Sequence, residues 1–222
     1  MTAYSPPTRY SGSSGMSLRK LLLLAIAAAG FAAAPATARA EIKPDTADLV
    51  YGRADAPVTI VEYAALTCPH CAQFHSEVLP ELKKRYIDTG AVKLVFRDFP
   101  FEGLGLRAHM LARCAGPERR VGFMDVLFKQ QKAWTGAGDP IKALQQVAKI
   151  GGIGEADFQA CMTSKPVEEA VLKNRMEGEQ KDNVKSTPTL FVNGQRFTGD
   201  RTVEGFAKIL DPLLKDWKAK SG

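Results

Sequence analysis

Residues 58–71 read Val58-Thr59-Ile60-Val61-Glu62-Tyr63-Ala64-Ala65-Leu66-Thr67-Cys68-Pro69-His70-Cys71, and this stretch decides the fold. Val58 to Tyr63 is rich in β-branched and aromatic residues, which predicts a strand. Beyond Cys71, the residues Phe74, Val78, Leu82 and Tyr86 recur every four positions and predict an amphipathic helix over Ala72 to Tyr86. The C-x-x-C therefore lies at a strand-to-helix turn, with Cys68 at the helix N-terminus. Unpaired N–H groups and the positive end of the helix dipole favour a thiolate there, so the Cys68 pKa is expected well below that of a free thiol. Taken alone, a C-x-x-C suits half of a zinc site or a structural disulfide as well. The strand before it and the helix after it favour a redox pair.

Working outward, the first forty of the 222 residues read as a processing signal rather than as fold. Arg19 and Lys20 precede Leu21 to Ala34, a run without charge, and small residues follow at Ala36, Ala38 and Ala40. Cleavage is expected after Ala40, with Ala36-Thr37-Ala38 as second choice and Met16 as an alternative start. A membrane anchor is the competing reading, but the apolar run ends at Pro35, short of the ~20 residues that span a bilayer. Residues 1–40 carry four of the 30 basic residues (Arg9, Arg19, Lys20, Arg39) and no acid, which leaves 26 bases against 24 acids. That balance gives no reason to expect nucleic acid or an anionic membrane as partner. Residues 41–222 are ample for one core of ordinary size.

Export implies an oxidising compartment, so the two cysteines outside the motif matter. Cys114 and Cys161 are expected to pair in a structural disulfide, against the alternative of two free buried thiols. Spacing alone does not bring their Cα atoms within bridging distance. No metal is expected, because neither has a second cysteine nearby in sequence, and His75 and His109 read as ordinary surface or core histidines.

Along residues 41–222, Leu49-Val50-Tyr51 is a candidate edge strand and Val92 to Phe96 the strand after the active-site helix. Pro80 falls inside that helix and should kink it. Five helical patterns follow. Leu104 to Ala115 is the first, Val121 to Trp134 the second, and Pro140 opens the third; Phe158 and Cys161 mark a short fourth, and Val167 to Gln180 the fifth. Strands return at Thr189 to Val192, and Asn193-Gly194 predicts a two-residue hairpin into Gln195-Arg196-Phe197. A last helix uses Phe206, Ile209, Leu210, Leu213 and Trp217. The expected class is α/β: βαβ, a helical block at about 104–182, then ββα.

This layout resembles the thioredoxin plan, and the helical block together with Cys68-Pro69-His70-Cys71 resembles the DsbA family of bacterial periplasmic thiol oxidases. The resemblance covers roughly Asp48 to Lys218. It implies a thioredoxin-like fold with an inserted all-helical subdomain. It also implies that Cys68 is the exposed nucleophile, Cys71 the buried resolving thiol, Pro69 part of the usual dipeptide, and His70 a support for the thiolate. Thr187-Pro188 matches the position where the family has a cis proline facing the active site, with the preceding residue pairing with bound substrate. Thr187, where some of these oxidases carry Val, is a departure shared with isomerases of the superfamily. Glu62, six residues before Cys68, matches an acid thought to relay protons to the buried thiol; the alternative is that Glu62 faces water on an alternating strand.

The function so implied is a periplasmic oxidoreductase that donates the Cys68–Cys71 disulfide to exported polypeptides with free thiols. It needs no cofactor and is expected to be monomeric. A membrane quinone-linked protein of the DsbB type would re-oxidise it. An isomerase or reductase of the same superfamily and a chaperone-like peptide-binding module are the alternatives. Isomerases carry an N-terminal dimerisation domain, for which the stretch after residue 41 is too short. A depressed Cys68 pKa further implies that reduced protein resists denaturant better than oxidised protein at neutral pH.

Overall fold

Val58-Thr59-Ile60-Val61 is a run of four β-branched residues, and Val58–Ala64 forms the central strand β2 of a five-stranded sheet. The structure is a computed structural model that describes Met1 and residues 44–221, of which residues 216–221 are described by their backbone alone. The expected leader, its cleavage after Ala40 and the Trp217 side chain lie outside the described residues.

The strand order is β1-β3-β2-β4-β5. Strand β1 (Leu49–Tyr51) runs antiparallel to β3 (Val92–Asp98), which runs parallel to β2. Strand β4 (Thr189–Val192) lies antiparallel to β2 on its other side, followed by β5 (Gln195–Arg196). The hairpin turn between β4 and β5 places Asn193 and Gly194 at positive φ, 47° and 81°, as a two-residue turn of this sequence requires. Side chains alternate along β2. Val58, Ile60, Glu62 and Ala64 share the face that packs on the main core, while Tyr63 joins Phe99, Val184 and Phe191 on the other.

The active-site helix α1 spans 69–87 and alternates α-helical with wider π-helical turns. Pro69–Gln73 and Leu79–Leu82 are α, and Phe74–Val78 and Lys83–Ile87 are π. Pro80 stands in the first turn after Phe74–Val78. A proline there cannot donate to the preceding turn, and a locally widened helix absorbs the missing bond. The expected kink is thus a change of helix type that keeps Phe74, His75, Val78, Leu79 and Leu82 all buried.

Between β3 and β4 comes the helical block. Helices α2 (Gly103–Cys114), α3 (Pro117–Lys129), α4 (Gln131–Thr135), α5 (Pro140–Ile150), α6 (Glu155–Met162) and α7 (Lys165–Gln180) follow in order. The single helix expected to reach Trp134 is two, because Gln130 leaves helical geometry at φ −96°, ψ 7°. Cys114 at the end of α2 and Cys161 in α6 are joined in a disulfide across 47 residues, with Cα atoms 6.1 Å apart. A loop of that length stabilises by about 4 kcal/mol in the chain-entropy model. Helix α7 crosses the back of the sheet so closely that a Cβ on Gly178 would meet the Tyr63 ring at 2.6 Å. Helix α8 (Val203–Ser221) closes the chain.

A buried polar knot fastens the block to the sheet. Asp98, at the end of β3, accepts from His109 Nδ1 at 2.7 Å and from Arg113 Nε at 2.7 Å. Arg113 and Arg120 also donate to the Ala47 carbonyl ahead of β1, at 2.9 and 2.8 Å. Burial pushes the Asp98 carboxyl up, but its contact with His109 and the charges of Arg113 and Arg120 outweigh that and hold it well below the usual carboxylate range.

Candidate active site

Cys68 is the residue that caps α1, with extended backbone at φ −82°, ψ 119°. Its carbonyl accepts from the N–H groups of Cys71 and Ala72, each at 3.1 Å. The side chain, half-exposed, therefore sits beside the free N–H groups of the first turn, while Cys71 one turn on is fully buried. Both are free thiols in the structure.

Their environments drive the two sulfurs apart. The Cys68 pKa is pulled down to about 5: the Cys71 thiol donates to its sulfur first, then the Thr187 side chain and the main-chain N–H groups of Cys71 and His70. Cys71 moves the other way. Burial raises it, and the proton it shares with Cys68 and the negative charge of Glu62 raise it further. At neutral pH the pair is one thiolate and one thiol, with the thiolate on the accessible side.

The partner loop brings Thr187 over Cys68. The Thr187–Pro188 peptide is cis, and the Thr187 carbonyl oxygen is 3.4 Å from Cys68 Sγ. His70 is exposed, and its contribution to the thiolate comes through its main-chain N–H. Two open grooves of about 580 Å³ meet at His70. One runs past Glu77, Arg201 and Glu204, the other past Gln131 and Lys132.

Glu62 is fully buried on the core face of β2, beneath Cys71, and does not face water. Its Oε2 is 2.9 Å from His75 Nε2 on α1, and His75 stacks on Phe128 with ring centroids 4.1 Å apart. Of the surface and core alternatives for His75 and His109, the core one holds, and both are buried against carboxylates. A signal for His75 existed: it follows Cys71 by four residues and so shares its helix face.

The helical block reaches the active-site loop through two side chains. The Leu66 N–H donates to His109 Nε2 at 3.2 Å, so Nδ1 carries the proton that His109 shares with Asp98. Gln131, freed by the break at Gln130, donates to the carbonyls of Leu66 and Cys68 at 2.7 and 2.9 Å. The reactive turn is therefore clamped at both polar groups of Leu66 and at the Cys68 carbonyl. Among the described residues there is no group of three or more side chains that could hold a metal ion.

Residues 45–212 match the family model described as Thioredoxin. A provisionally named protein-disulfide oxidoreductase of Rickettsia felis is 33% identical over 189 residues, which cover 82% of this chain and 68% of that one. Disulfide bond formation protein D of Bacillus subtilis is 30% identical over 182 residues, 77% of this chain and 78% of its own. Among solved structures, alpha-DsbA1 of Wolbachia pipientis superposes with a TM-score of 0.72 at 28% identity, covering 79% of this chain and 94% of that one.

Proposed function

The chain belongs to the thioredoxin family, on its DsbA-like protein-disulfide oxidoreductase branch, and we propose that it oxidises exported polypeptides through a Cys68–Cys71 disulfide. The observation that carries this reading is the divergence of the two thiols. A half-exposed Cys68 whose pKa is about 5 is a stable leaving group, and a buried Cys71 held as a thiol does not compete with it. A low leaving-group pKa speeds release of Cys68 from a mixed disulfide and favours the reduced enzyme, which makes the oxidised enzyme a strong oxidant.

The cycle runs in two displacements. A substrate thiolate attacks Cys68 Sγ; the Cys68–Cys71 bond breaks and its electron pair leaves on Cys71. A second substrate thiolate then attacks the substrate sulfur of the mixed disulfide and expels Cys68 as a thiolate. Thr187, over the sulfur, is placed to meet the incoming chain. Pro69 and His70 shape the turn, and the Cys114–Cys161 bridge is structural. The apolar run Leu21 to Ala34 with its small-residue exit supports a periplasmic site of action. Re-oxidation by a membrane protein of the DsbB type, and a monomeric state, follow from the family resemblance alone.

The test is oxidation of a reduced dithiol peptide by the oxidised protein. Wild type is expected to turn the peptide over and Cys68→Ala to be inert. Cys71→Ala, which cannot form the active-site disulfide, should not turn the peptide over. A wild-type protein with no more activity than Cys68→Ala refutes the reading.

A further inference from the structure

We propose that His75 is the group through which the buried Glu62 carboxylate exchanges protons with solvent, by way of a cavity between α1 and α3. The proposal rests on the thiol chemistry above and concerns the proton that Cys71 must gain each time the disulfide opens.

Glu62 has no exposed surface and cannot trade protons with water itself. Its Oε2 meets His75 Nε2 at 2.9 Å, and its Oε1 is buried without a hydrogen-bond partner. The His75 side chain is 1% exposed, and its second nitrogen, Nδ1, is equally buried and unpartnered. Two orphaned polar atoms on one buried pair are costly to a structural ion pair, and a group that must release and recapture a proton accounts for them. His75 also lines a cavity of about 350 Å³, whose walls combine the apolar Leu79, Pro80 and Phe128 with Lys83, Asp88 and Asp125. His75 thus meets Glu62 through Nε2 and belongs to the lining of a cavity with both charged and apolar walls.

The charged and titratable surroundings suit this role. From β1, the Tyr51 ring lies 6.3 Å from His75, and its hydroxyl is held neutral by burial, with Asp125 and Glu62 adding to the effect. Helix α3 supplies Asp125 and Lys129, α1 supplies Cys71 and Lys83, and the turn after α1 supplies Asp88. Strand β3 presents the apolar Phe96 ring. When substrate thiolate attacks Cys68 Sγ and Cys71 leaves with the electron pair, the new Cys71 thiolate takes a proton from the Glu62 carboxyl. Glu62 is reprotonated by the His75 imidazolium, and His75 by water in the cavity. One proton enters per disulfide opened, and the path runs backwards when Cys71 attacks.

The test compares wild type with His75→Gln and His75→Ala in the rate of dithiol-peptide oxidation between pH 5 and pH 8, with the equilibrium against glutathione as control. His75→Gln keeps a hydrogen bond to Glu62 but carries no proton at neutral pH. It is expected to be about a hundredfold slower, the low end of the range for positioned proton transfer, with its equilibrium constant unchanged. His75→Ala leaves room beside the cavity, and added imidazole should restore its rate. Should His75→Ala not fold, the solvent deuterium isotope effect decides, and it is expected to differ between wild type and His75→Gln. Wild-type rates and pH profiles in the variants, equal isotope effects, or a loss that imidazole leaves untouched in folded His75→Ala overturn the proposal. Each of these outcomes needs an active wild type. An inert wild type refutes the proposed function itself, so the two failures are distinct.

Discussion

At the scale of single residues, the reactivity of Cys68 comes from several weak donors rather than from one strong one. The sequence pointed to the helix N-terminus and to His70, and both contribute, His70 through its main-chain N–H. The larger cause is the Cys71 thiol, which becomes a donor because burial keeps it protonated. Thr187 adds a donor from across the cleft. Opposite a thiol its carbonyl oxygen accepts at 3.4 Å; opposite a thiolate its side chain donates. Thr187→Val keeps the carbonyl and removes the hydroxyl. Losing one hydrogen bond to a charged, half-solvated sulfur should raise the Cys68 pKa by roughly one unit. Thiolate absorbance against pH measures it, and a midpoint that does not move would exclude Thr187 as a donor. The burial of Glu62 was within reach of the sequence. Strand parity puts it on the face of Val58 and Ile60, which decides against the water-facing alternative.

At the scale of elements, the helical block does more than occupy space between β3 and β4. Its helices α2 and α4 end on the loop that presents Cys68, through His109 and Gln131. Removing Gln131 would orphan the buried Leu66 carbonyl oxygen, while the Cys68 carbonyl would keep its bonds from the Cys71 and Ala72 N–H groups. We expect Gln131→Leu to cost about 2 kcal/mol in denaturant stability. We also expect it to slow peptide oxidation, since the turn loses the clamp on its C=O side. A variant with wild-type stability and rate would show the clamp to be dispensable. Element types were legible because apolar periodicity and turn residues are local signals: the C-x-x-C helix, the Asn193-Gly194 hairpin and the return of strands at Thr189 all followed from them. The clamp was not legible. Gln131 lies 65 residues from Leu66, and Asp98 meets His109 and Arg113 across 11 and 15 residues, outside any helical or strand period. The break at Gln130 was hidden for a related reason. The apolar spacing continues through it, and the break coincides with the reach of Gln131 to the active-site loop.

At the scale of the whole molecule, the redox state of one pair couples to global stability, and the coupling has a definite sign. A folded-state pKa depressed below its unfolded value adds stability above that unfolded value, here 9.0, and loses it as the pH falls through about 5. Only reduced protein has this thiolate. Between pH 7 and pH 5 an ideal two-unit window corresponds to about 2.7 kcal/mol. Cys68 is half-exposed, and solvent screening brings the expected change nearer about 1 kcal/mol. Cys71 titrates in the opposite sense, its pKa raised by burial, so it alters stability only as the pH climbs above 9.0. Asp98 loses its contribution in acid, but it does so in both redox forms and cancels from their difference. The oxidised form has its own advantage, since closing a four-residue loop restricts its unfolded chain by about 2 kcal/mol. That advantage does not vary with pH. The pH dependence of the gap is therefore the diagnostic rather than its value at one pH. Guanidinium titrations of both forms at pH 5, 6 and 7 should show the reduced protein gaining on the oxidised one at each step upward, and Thr187→Val should flatten the trend. A gap that stays level, or that closes as the pH rises, would mean that no thiolate at Cys68 stabilises the fold, and the case for a thiol oxidase would fall with it.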